Sequence, residues 1–173
     1  MLRPRSRGDL VREFVAGDVS ASVYLQELSA HVNDYAPFNL VVADRDGAWC
    51  LESPGARITA LTPGVHLVSN GPLDAPWPKM QRLRALFADA LARGADDAAL
   101  LDLLRDRATP PDAELPDTGF GLDKERFLAP IFVQSVLYGT RASTLAWRDD
   151  AGRIGLRERS YDVAGRTTGD VVV

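Results

Sequence analysis

A chain of 173 residues with 46 % hydrophobic and 25 % charged residues has the size and composition of one folded globular domain. Its net charge of −4 excludes a general electrostatic attraction to nucleic acid as the basis of its function. No segment approaches the ~20 apolar residues of a membrane span. The single cysteine, Cys50, excludes an internal disulfide and indicates a reducing compartment, for which the cytoplasm is the simplest choice.

The first third of the chain begins with two predicted amphipathic helices. The first spans residues 8–16 and ends at Gly17. The second begins after an N-cap at Asp18 or Ser20. Its apolar face comprises Tyr24, Leu25, Leu28 and Val32.

Four strands are predicted next. Residues 38–43, FNLVVA, are apolar on both alternating sets, which is typical of a strand covered on both faces. The Asp-Arg-Asp-Gly turn joins this strand to residues 48–53 as a β-hairpin. Residues 57–61 and 64–70 form a second pair around a Pro-Gly turn. The pattern favours an antiparallel sheet.

Two helices and a loop occupy the middle of the chain. Pro78 fits the first position of a long helix, and Gly94 fits the position just after its end. A shorter helix is predicted from about 97 to 106. The Pro, Gly and Asp content of residues 108–122 predicts an ordered surface loop of unknown path.

The last third returns to strands, with a hairpin whose turn again has the form Asp-x-x-Gly. The predicted strands are residues 137–147, residues 153–161 and a terminal strand at 170–173. Strands, then helices, then strands again predict an α+β fold with helices grouped on sheet faces.

Asn70 is the first candidate for chemistry. At the end of a predicted strand before Gly71, its side-chain amide would project from the sheet edge, where an amide N–H can stabilise a developing oxyanion. Alternatively, Asn70 and Asp74 hydrogen-bond the turn and cap the following helix. The residues alone leave both interpretations open.

Arg141 is the second candidate, at the entry of a strand of small and apolar residues. Its planar guanidinium suits the carboxylate of a ligand or that of a neighbouring side chain in a structural ion pair. Thr140 adds a hydroxyl beside it. Trp77 and Lys79 could clamp a ligand, although packing at a helix start explains the tryptophan equally well.

The remaining reactive side chains have simpler interpretations. His66 lies between Val65 and Leu67, where a lone histidine is more often a packed side chain than a metal or haem ligand. Cys50 is predicted to be a small core residue. No glycine-rich phosphate loop and no Cys/His metal pattern is present, so no metal site is predicted.

Five blocks resemble, in the same order, the NRDE family, also called the Transport and Golgi organization protein 2 family. The similarity runs from about residue 5 to residue 162. The blocks are RSRGDLVREFVAGD, FNLVVADRDG, GVHLVSNGPLDAPWPK, ELPDTGFGLDKERFLAPIFV and YGTRASTLAW.

The resemblance implies an architecture like that of the N-terminal-nucleophile hydrolases, with antiparallel sheets between helix layers. Family members begin Met-Cys and carry Asn-Arg-Asp-Glu soon afterwards, and neither is present here. We therefore expect residues 1–173 to be a single family domain that is incomplete at its N-terminus. A missing strand would leave a sheet edge uncovered, and we expect self-association beside residues 38–43.

Related amide hydrolases place an Asn at a strand end and a late Arg near the nucleophile, and Asn70 and Arg141 resemble this pair. The resemblance implies that they are supporting residues and that no catalytic residue lies in this chain. The ligand-binding residues it suggests are Ser69, Asn70, Asp74, Trp77, Lys79, Thr140 and Arg141.

The resemblance favours a cytoplasmic protein that binds or traffics haem or another hydrophobic or acyl metabolite, without catalysis in this chain. Haem would be a ligand rather than a resident cofactor. The alternative is the C-terminal part of an N-terminal-nucleophile amide or ester hydrolase, with its Cys nucleophile upstream of Met1. The N-terminal Met-Leu of this sequence cannot supply that nucleophile.

Overall fold

The computed structural model describes residues 4–173, which contain five α-helices and two three-stranded antiparallel sheets. This confirms the predicted α+β class. The chain divides into two compact units, the first ending at Ala75 and the second spanning Pro76–Val173. The single domain over residues 1–173 and the N-terminal-nucleophile arrangement of layers stay predictions.

The first unit packs two helices against a small sheet. Helices α1 (Arg7–Ala16) and α2 (Ala21–Ser29) precede strands β1 (Asn39–Ala43), β2 (Ala48–Glu52) and β3 (Arg57–Ala60), which are ordered β1-β2-β3. Apolar side chains of the helices and of one sheet face form one buried core, which stabilises the unit by removing them from water. Its members include Leu10, Leu25, Leu28, Leu40, Val42 and Leu51.

The caps of the two helices lie at the predicted residues, and α2 has one capping bond that was not predicted. Gly17 caps α1 as predicted, and Ser20 is the N-cap residue of α2 by position, but its side chain makes no capping bond. Instead, Asp44 in the β1–β2 turn accepts the Ala21 N–H at 2.7 Å through Oδ2. Val32 lies beyond α2 in a short 3₁₀ turn, so the helix is shorter than predicted.

The fourth predicted strand, residues 64–70, is wrong, because this segment has no strand partner and forms an irregular loop. Two carbonyl groups at the end of this loop accept hydrogen bonds from a side chain instead. The Asn39 Nδ2 donates to the Ser69 carbonyl at 2.9 Å and to the Gly71 carbonyl at 2.8 Å. A side-chain amide thus supplies the donors that a neighbouring strand would otherwise supply.

Strand β1 therefore has two different faces. Leu40 and Val42 point into the helix-covered core, while Asn39 and Val41 alternate with them on the opposite face. Asn39 binds the loop, but Val41 keeps 45 % of its surface exposed. The predicted burial of this strand on both faces is therefore right for the first face and wrong at Val41.

The second unit contains three helices. Helix α3 (Pro78–Ala92) begins with its proline at the first position, and Gly94 follows its end with φ 68°, both as predicted. Helix α4 (Asp97–Leu103) is three residues shorter than expected. Helix α5 (Leu122–Leu128) was not predicted, because its 7 residues directly follow a loop rich in Pro and Gly.

The second sheet consists of β4 (Ala142–Arg148), β5 (Ile154–Tyr161) and β6 (Thr167–Val172) in the order β4-β5-β6. The three strands correspond to those predicted, although β4 starts later and β6 earlier. Both turns have the form Asp-x-x-Gly. In each turn the aspartate accepts a backbone N–H four residues on, from Arg153 at 2.9 Å and from Arg166 at 2.8 Å. The sequence reasoning identified only the first of these turns.

Within residues 4–173, β1 is paired with β2 alone, so one edge of the first sheet has no strand partner. We expect the chain to self-associate through this edge, and we expect Val41→Lys to reduce that association, because a charge on an edge strand opposes pairing with a second strand. Sedimentation velocity at several concentrations measures the effect. A wild-type chain that stays monomeric at every concentration and melts cooperatively would contradict the expectation.

Candidate functional site

The loop between β3 and α3 carries three of the predicted site residues, and Asp74 determines its conformation. Its carboxylate accepts the Leu67 N–H at 2.8 Å through Oδ1, and its own N–H donates to the Leu67 carbonyl at 2.9 Å. Its backbone has φ 55°, a left-handed conformation that Asp tolerates better than most side chains do. Asp74 therefore holds the turn, as one of the two interpretations proposed, but it does not cap α3, whose N-cap residue is Trp77.

His66 belongs to the same loop and has bonds at both ring nitrogens. Its Nδ1 lies 2.8 Å from Asp74 Oδ2, and its Nε2 lies 2.8 Å from the Thr62 carbonyl. A carbonyl oxygen only accepts, so Nε2 carries a hydrogen. This supports the interpretation of His66 as a packed side chain. Across the described residues 4–173, no group of three His, Cys, Asp or Glu side chains is placed to hold a metal ion.

Two side chains of the first sheet form hydrogen bonds to the backbone of this loop. Asn39 bonds the Ser69 and Gly71 carbonyls as described, and the buried Glu52 accepts the Leu73 N–H at 2.9 Å. Arg57 lies 2.5 Å from the other carboxylate oxygen of Glu52 and balances its charge. A buried carboxylate needs such partners, because isolated burial of a charge is costly. The loop is therefore fixed to the sheet by polar bonds.

Asn70 lies at the exposed top of this loop and not at a strand end, which corrects the predicted position. Its side-chain amide makes no hydrogen bond to any residue between 4 and 173. The turn-bonding alternative is therefore wrong for Asn70. Its amide is left available to donate to another molecule.

Cys50 is fully buried in β2, as predicted for a core residue. Burial raises the pKa of its thiol, and the nearby Glu52 carboxylate raises it further. The thiol is therefore held in its unreactive protonated form.

In the second unit, the start of α3 brings Trp77 and Lys79 together. The Lys79 Nζ lies 5.8 Å from the centre of the Trp77 ring and donates to the Leu128 carbonyl at 3.0 Å. Burial lowers the pKa of the Lys79 amine from its usual value, and the Glu125 carboxylate acts in the opposite direction. A half-buried amine with a lowered pKa is a typical feature of binding and catalytic sites, although structural lysines share it.

Glu125 is itself buried, with 7 % of its surface exposed, and it closes the loop before α5. Its Oε1 accepts the Thr118 N–H at 2.9 Å and also the Thr118 hydroxyl in a short bond. The Asp-Thr-Gly-Phe-Gly stretch is therefore folded back onto the first turn of α5. This places a carboxylate near Lys79 without a direct ion pair between them.

A groove of about 480 Å³ opens beside Lys79. Its walls are partly apolar, from Pro78, Leu86 and Pro110, and it also contains the charged side chains of Arg82 and Glu114. A groove of this size that is lined by an amine and by apolar side chains suits a ligand that has an acidic group and a hydrophobic body.

Thr140 and Arg141 lie in the segment that leads into β4. Thr140 exchanges two bonds with Val133, donating its N–H to the Val133 carbonyl at 2.8 Å and accepting the Val133 N–H at 3.2 Å through its hydroxyl. A Cβ on Gly139 would lie 2.6 Å from the same carbonyl, so this close approach requires glycine.

The Arg141 guanidinium is exposed and lies 3.4 Å from the carbonyl of the preceding Thr140. No carboxylate of the described part of the chain forms an ion pair with it. The structural ion pair that the sequence left open is therefore wrong, and the guanidinium is available to a ligand anion.

The structure thus brings some of the predicted residues together and leaves others apart. Ser69, Asn70 and Asp74 share the loop of the first unit. Trp77 and Lys79 lie together at the start of α3 in the second unit, where Lys79 lines the groove. Within the second unit as described, no hydrogen bond, ion pair or ring contact joins this groove to Arg141. The pairing of Asn70 with Arg141 stays a prediction.

The sequence model of the Transport and Golgi organisation 2 family matches residues 2–163. The chain belongs to this family. It is 33 % identical to the Transport and Golgi organization protein 2 homolog of Bos taurus over 172 residues and 31 % identical to that of Homo sapiens over 175 residues. Each alignment covers 90 % of this chain and 62 % of the relative, so the chain spans less than two thirds of the relatives' length.

The blocks that carried the resemblance to the Transport and Golgi organisation 2 family coincide with the structural features described above. Sequence reasoning missed Asn39, Glu52 and Glu125, which fix two of these blocks. A signal for Glu52 was available in the sequence, because a charged residue at the end of an apolar strand indicates a specific polar partner. In residues 4–173, no helix has the length and apolar character needed to cross a membrane.

We expect Lys79 to titrate at a lower pH in the folded chain than in the chain unfolded by urea, because burial disfavours its charged form. The unfolded state then binds more protons, so the free energy of unfolding rises with pH between the two pKa values. Carbon-13 methylation of the amines and NMR titration measure the midpoints, with Lys79→Arg assigning the signal. Equal midpoints in the two states would contradict the expectation.

Proposed function

We propose that this chain binds haem or another hydrophobic or acyl metabolite in the cytoplasm and serves its trafficking, without catalysing a reaction. The observation that carries the proposal is the groove beside Lys79, where a half-buried amine faces apolar walls. Membership of the Transport and Golgi organisation 2 family supports a shared binding role rather than a property of this chain alone.

The charge of Lys79 supports an acidic ligand. Its Nζ has a carbonyl partner at 3.0 Å and an electrostatic interaction with Glu125, but no carboxylate of residues 4–173 is bound to it directly. An anionic group of the ligand, such as a haem propionate or an acyl carboxylate, would stabilise the charged amine and raise its pKa again. The Trp77 ring lies beside the Lys79 amine and is proposed to contact the hydrophobic part of the ligand.

Further polar contacts are proposed within each unit taken by itself. In the first unit Ser69 and Asn70 are proposed to contact polar parts of a ligand, and in the second unit Thr140 and Arg141 are proposed to do the same. Asp74 is proposed to act mainly by holding its loop, because both of its carboxylate oxygens already accept bonds or lie against His66.

We expect Lys79→Gln to weaken haem or acyl-coenzyme A binding by at least about tenfold, the loss typical of a hydrogen bond to a charged group. Lys124→Gln is the matched control, because the only other lysine of the chain lies against the exposed Phe120 ring, 4.9 Å from its centre. Absorbance titration with haem and calorimetry with acyl-coenzyme A give the affinities, and circular dichroism checks the fold of each variant. Equal weakening by the two substitutions, or no binding by the wild-type chain, would overturn the proposal.

A second candidate is an amide or ester hydrolase to which this part of the chain contributes supporting residues. It is favoured by the amide of Asn70 and the guanidinium of Arg141, both of which are exposed and without a side-chain partner among the residues described. In such a hydrolase, the side-chain amide of Asn70 would stabilise the oxyanion that forms on the substrate carbonyl.

The second candidate predicts that alanine at the positions of Asn70 and Arg141, in a full-length family member, lowers the release of acid from amide or ester substrates about 100-fold or more at the Asn position. A substrate panel with each alanine variant tests it. Turnover that is unchanged in both variants, or absent in the unmodified relative, would remove this candidate.

A further inference from the structure

The second unit contains another cleft, of about 530 Å³, that shares no lining residue with the groove beside Lys79. It lies between the segment after α4, the segment before β4, and the turn between β5 and β6. Its floor is the ring of Phe132, which is 1 % exposed and packs edge-on against the Tyr161 ring at 4.9 Å. Since this floor is buried and packed, the cleft is formed before any ligand binds.

Arg107 is the one charged side chain that lines this cleft within the described residues. Its guanidinium lies 5.3 Å from the centre of the Phe132 ring and forms no ion pair with any carboxylate of residues 4–173. The neighbouring arginine is engaged differently, because Arg105 donates to the Gly165 carbonyl at 3.3 Å. The Arg107 guanidinium therefore packs on the face of the Phe132 ring, and its N–H groups remain available to a ligand.

Gly165 is the point at which the polar groups of the cleft converge. It is buried with φ 73°, and a Cβ placed on it would lie 2.6 Å from Arg107 Nη2 and 3.2 Å from Gln134 Oε1. The same Cβ would lie 3.1 Å from the Phe132 ring. The absence of a side chain at Gly165 thus lets a guanidinium, an amide and an aromatic ring approach one another.

Apart from Ser135, the remaining walls are apolar, and they are open to solvent. Val136 is 81 % exposed and Val163 is 54 % exposed, and Pro130 completes this side of the cleft. No acidic side chain is among the lining residues that the structure describes. The charge of the cleft is therefore positive at one end and its surface is hydrophobic at the other.

We propose that this cleft is a second binding site, specific for a small organic acid with an apolar body. The carboxylate binds the Arg107 guanidinium near the Gln134 amide, and the apolar part covers Val136 and Val163. A planar guanidinium on an aromatic ring recognises a carboxylate in two parallel hydrogen bonds. The site goes beyond the proposed metabolite-binding groove and uses none of its residues.

The test is NMR titration of the full chain with octanoate, with octanol and acetate as probes that each lack one half of the recognised chemistry. We expect octanoate to shift the amide signals of residues 132–136 and 163–165 and to bind at least about tenfold more tightly than octanol or acetate. Octanol binding as tightly as octanoate, or shifts confined to other residues, would overturn the proposal.

Two variants identify the groups responsible. Arg107→Gln is expected to weaken octanoate binding at least about tenfold, whereas Arg12→Gln, which removes an arginine that is 75 % exposed in the first unit, is expected to leave it unchanged. Val136→Asp, on an exposed wall where folding is not at risk, is expected to weaken both octanoate and octanol because it removes an apolar contact, and to weaken octanoate more because it adds a like charge. Equal affinities of wild type and Arg107→Gln would overturn the proposal.

Lys79→Gln separates this site from the groove beside α3. Octanoate binding to the cleft is expected to be unchanged by Lys79→Gln, while the haem or acyl-coenzyme A affinity falls. Loss of octanoate binding in Lys79→Gln together with full binding in Arg107→Gln would assign the acid to the groove and overturn the second site.

Discussion

Both units depend on the same constraint, which is that an irregular loop must satisfy its backbone polar groups without a neighbouring strand. In the first unit the buried Glu52 accepts a backbone N–H of the loop before α3, and in the second the buried Glu125 accepts that of Thr118. A buried carboxylate with a donor removed would carry an uncompensated charge. Each loop is therefore held in one conformation, because another conformation would leave a buried carboxylate or a backbone group without its hydrogen bond. For this reason the segments typical of the family can be irregular and still well ordered.

Helices α1 to α4 and the hairpins β1–β2 and β4–β5 could be predicted because local rules determine them. Pro78 and Gly94 bound α3, and Asp-x-x-Gly turns join the strands of the second sheet. The loop at 64–70 could not be predicted, because its apolar alternation is that of a strand. Its backbone is instead bonded by the remote Asn39 amide and by Asp74. The identities of the candidate site residues came from the sequence blocks. Their environments, such as the burial of Lys79, depend on residues nearly fifty positions away.

The cationic side chains of this acidic chain differ in whether a carboxylate neutralises them. Most arginines of the second sheet are neutralised locally, as Arg157 and Arg159 are by Asp170. Arg107 and Arg141 have no such partner among the described residues, and Lys79 is bound to a carbonyl instead of a carboxylate. Since the net charge is −4, the chain as a whole does not attract anions, and these cations are local exceptions. This favours recognition of small anions at defined points over attraction to an extended polyanion.

The bond from Asp44 to the first turn of α2 joins two elements that are separated by more than twenty residues. That backbone N–H lowers the pKa of the aspartate more than any other single group does, so the carboxylate and the helix end stabilise each other. Acidification through the pKa of Asp44 in the folded state would release both partners at once. Fraying at the start of α2 and loosening of the β1–β2 turn are therefore expected to accompany each other as the pH falls through that pKa, because one carboxylate accepts bonds from both.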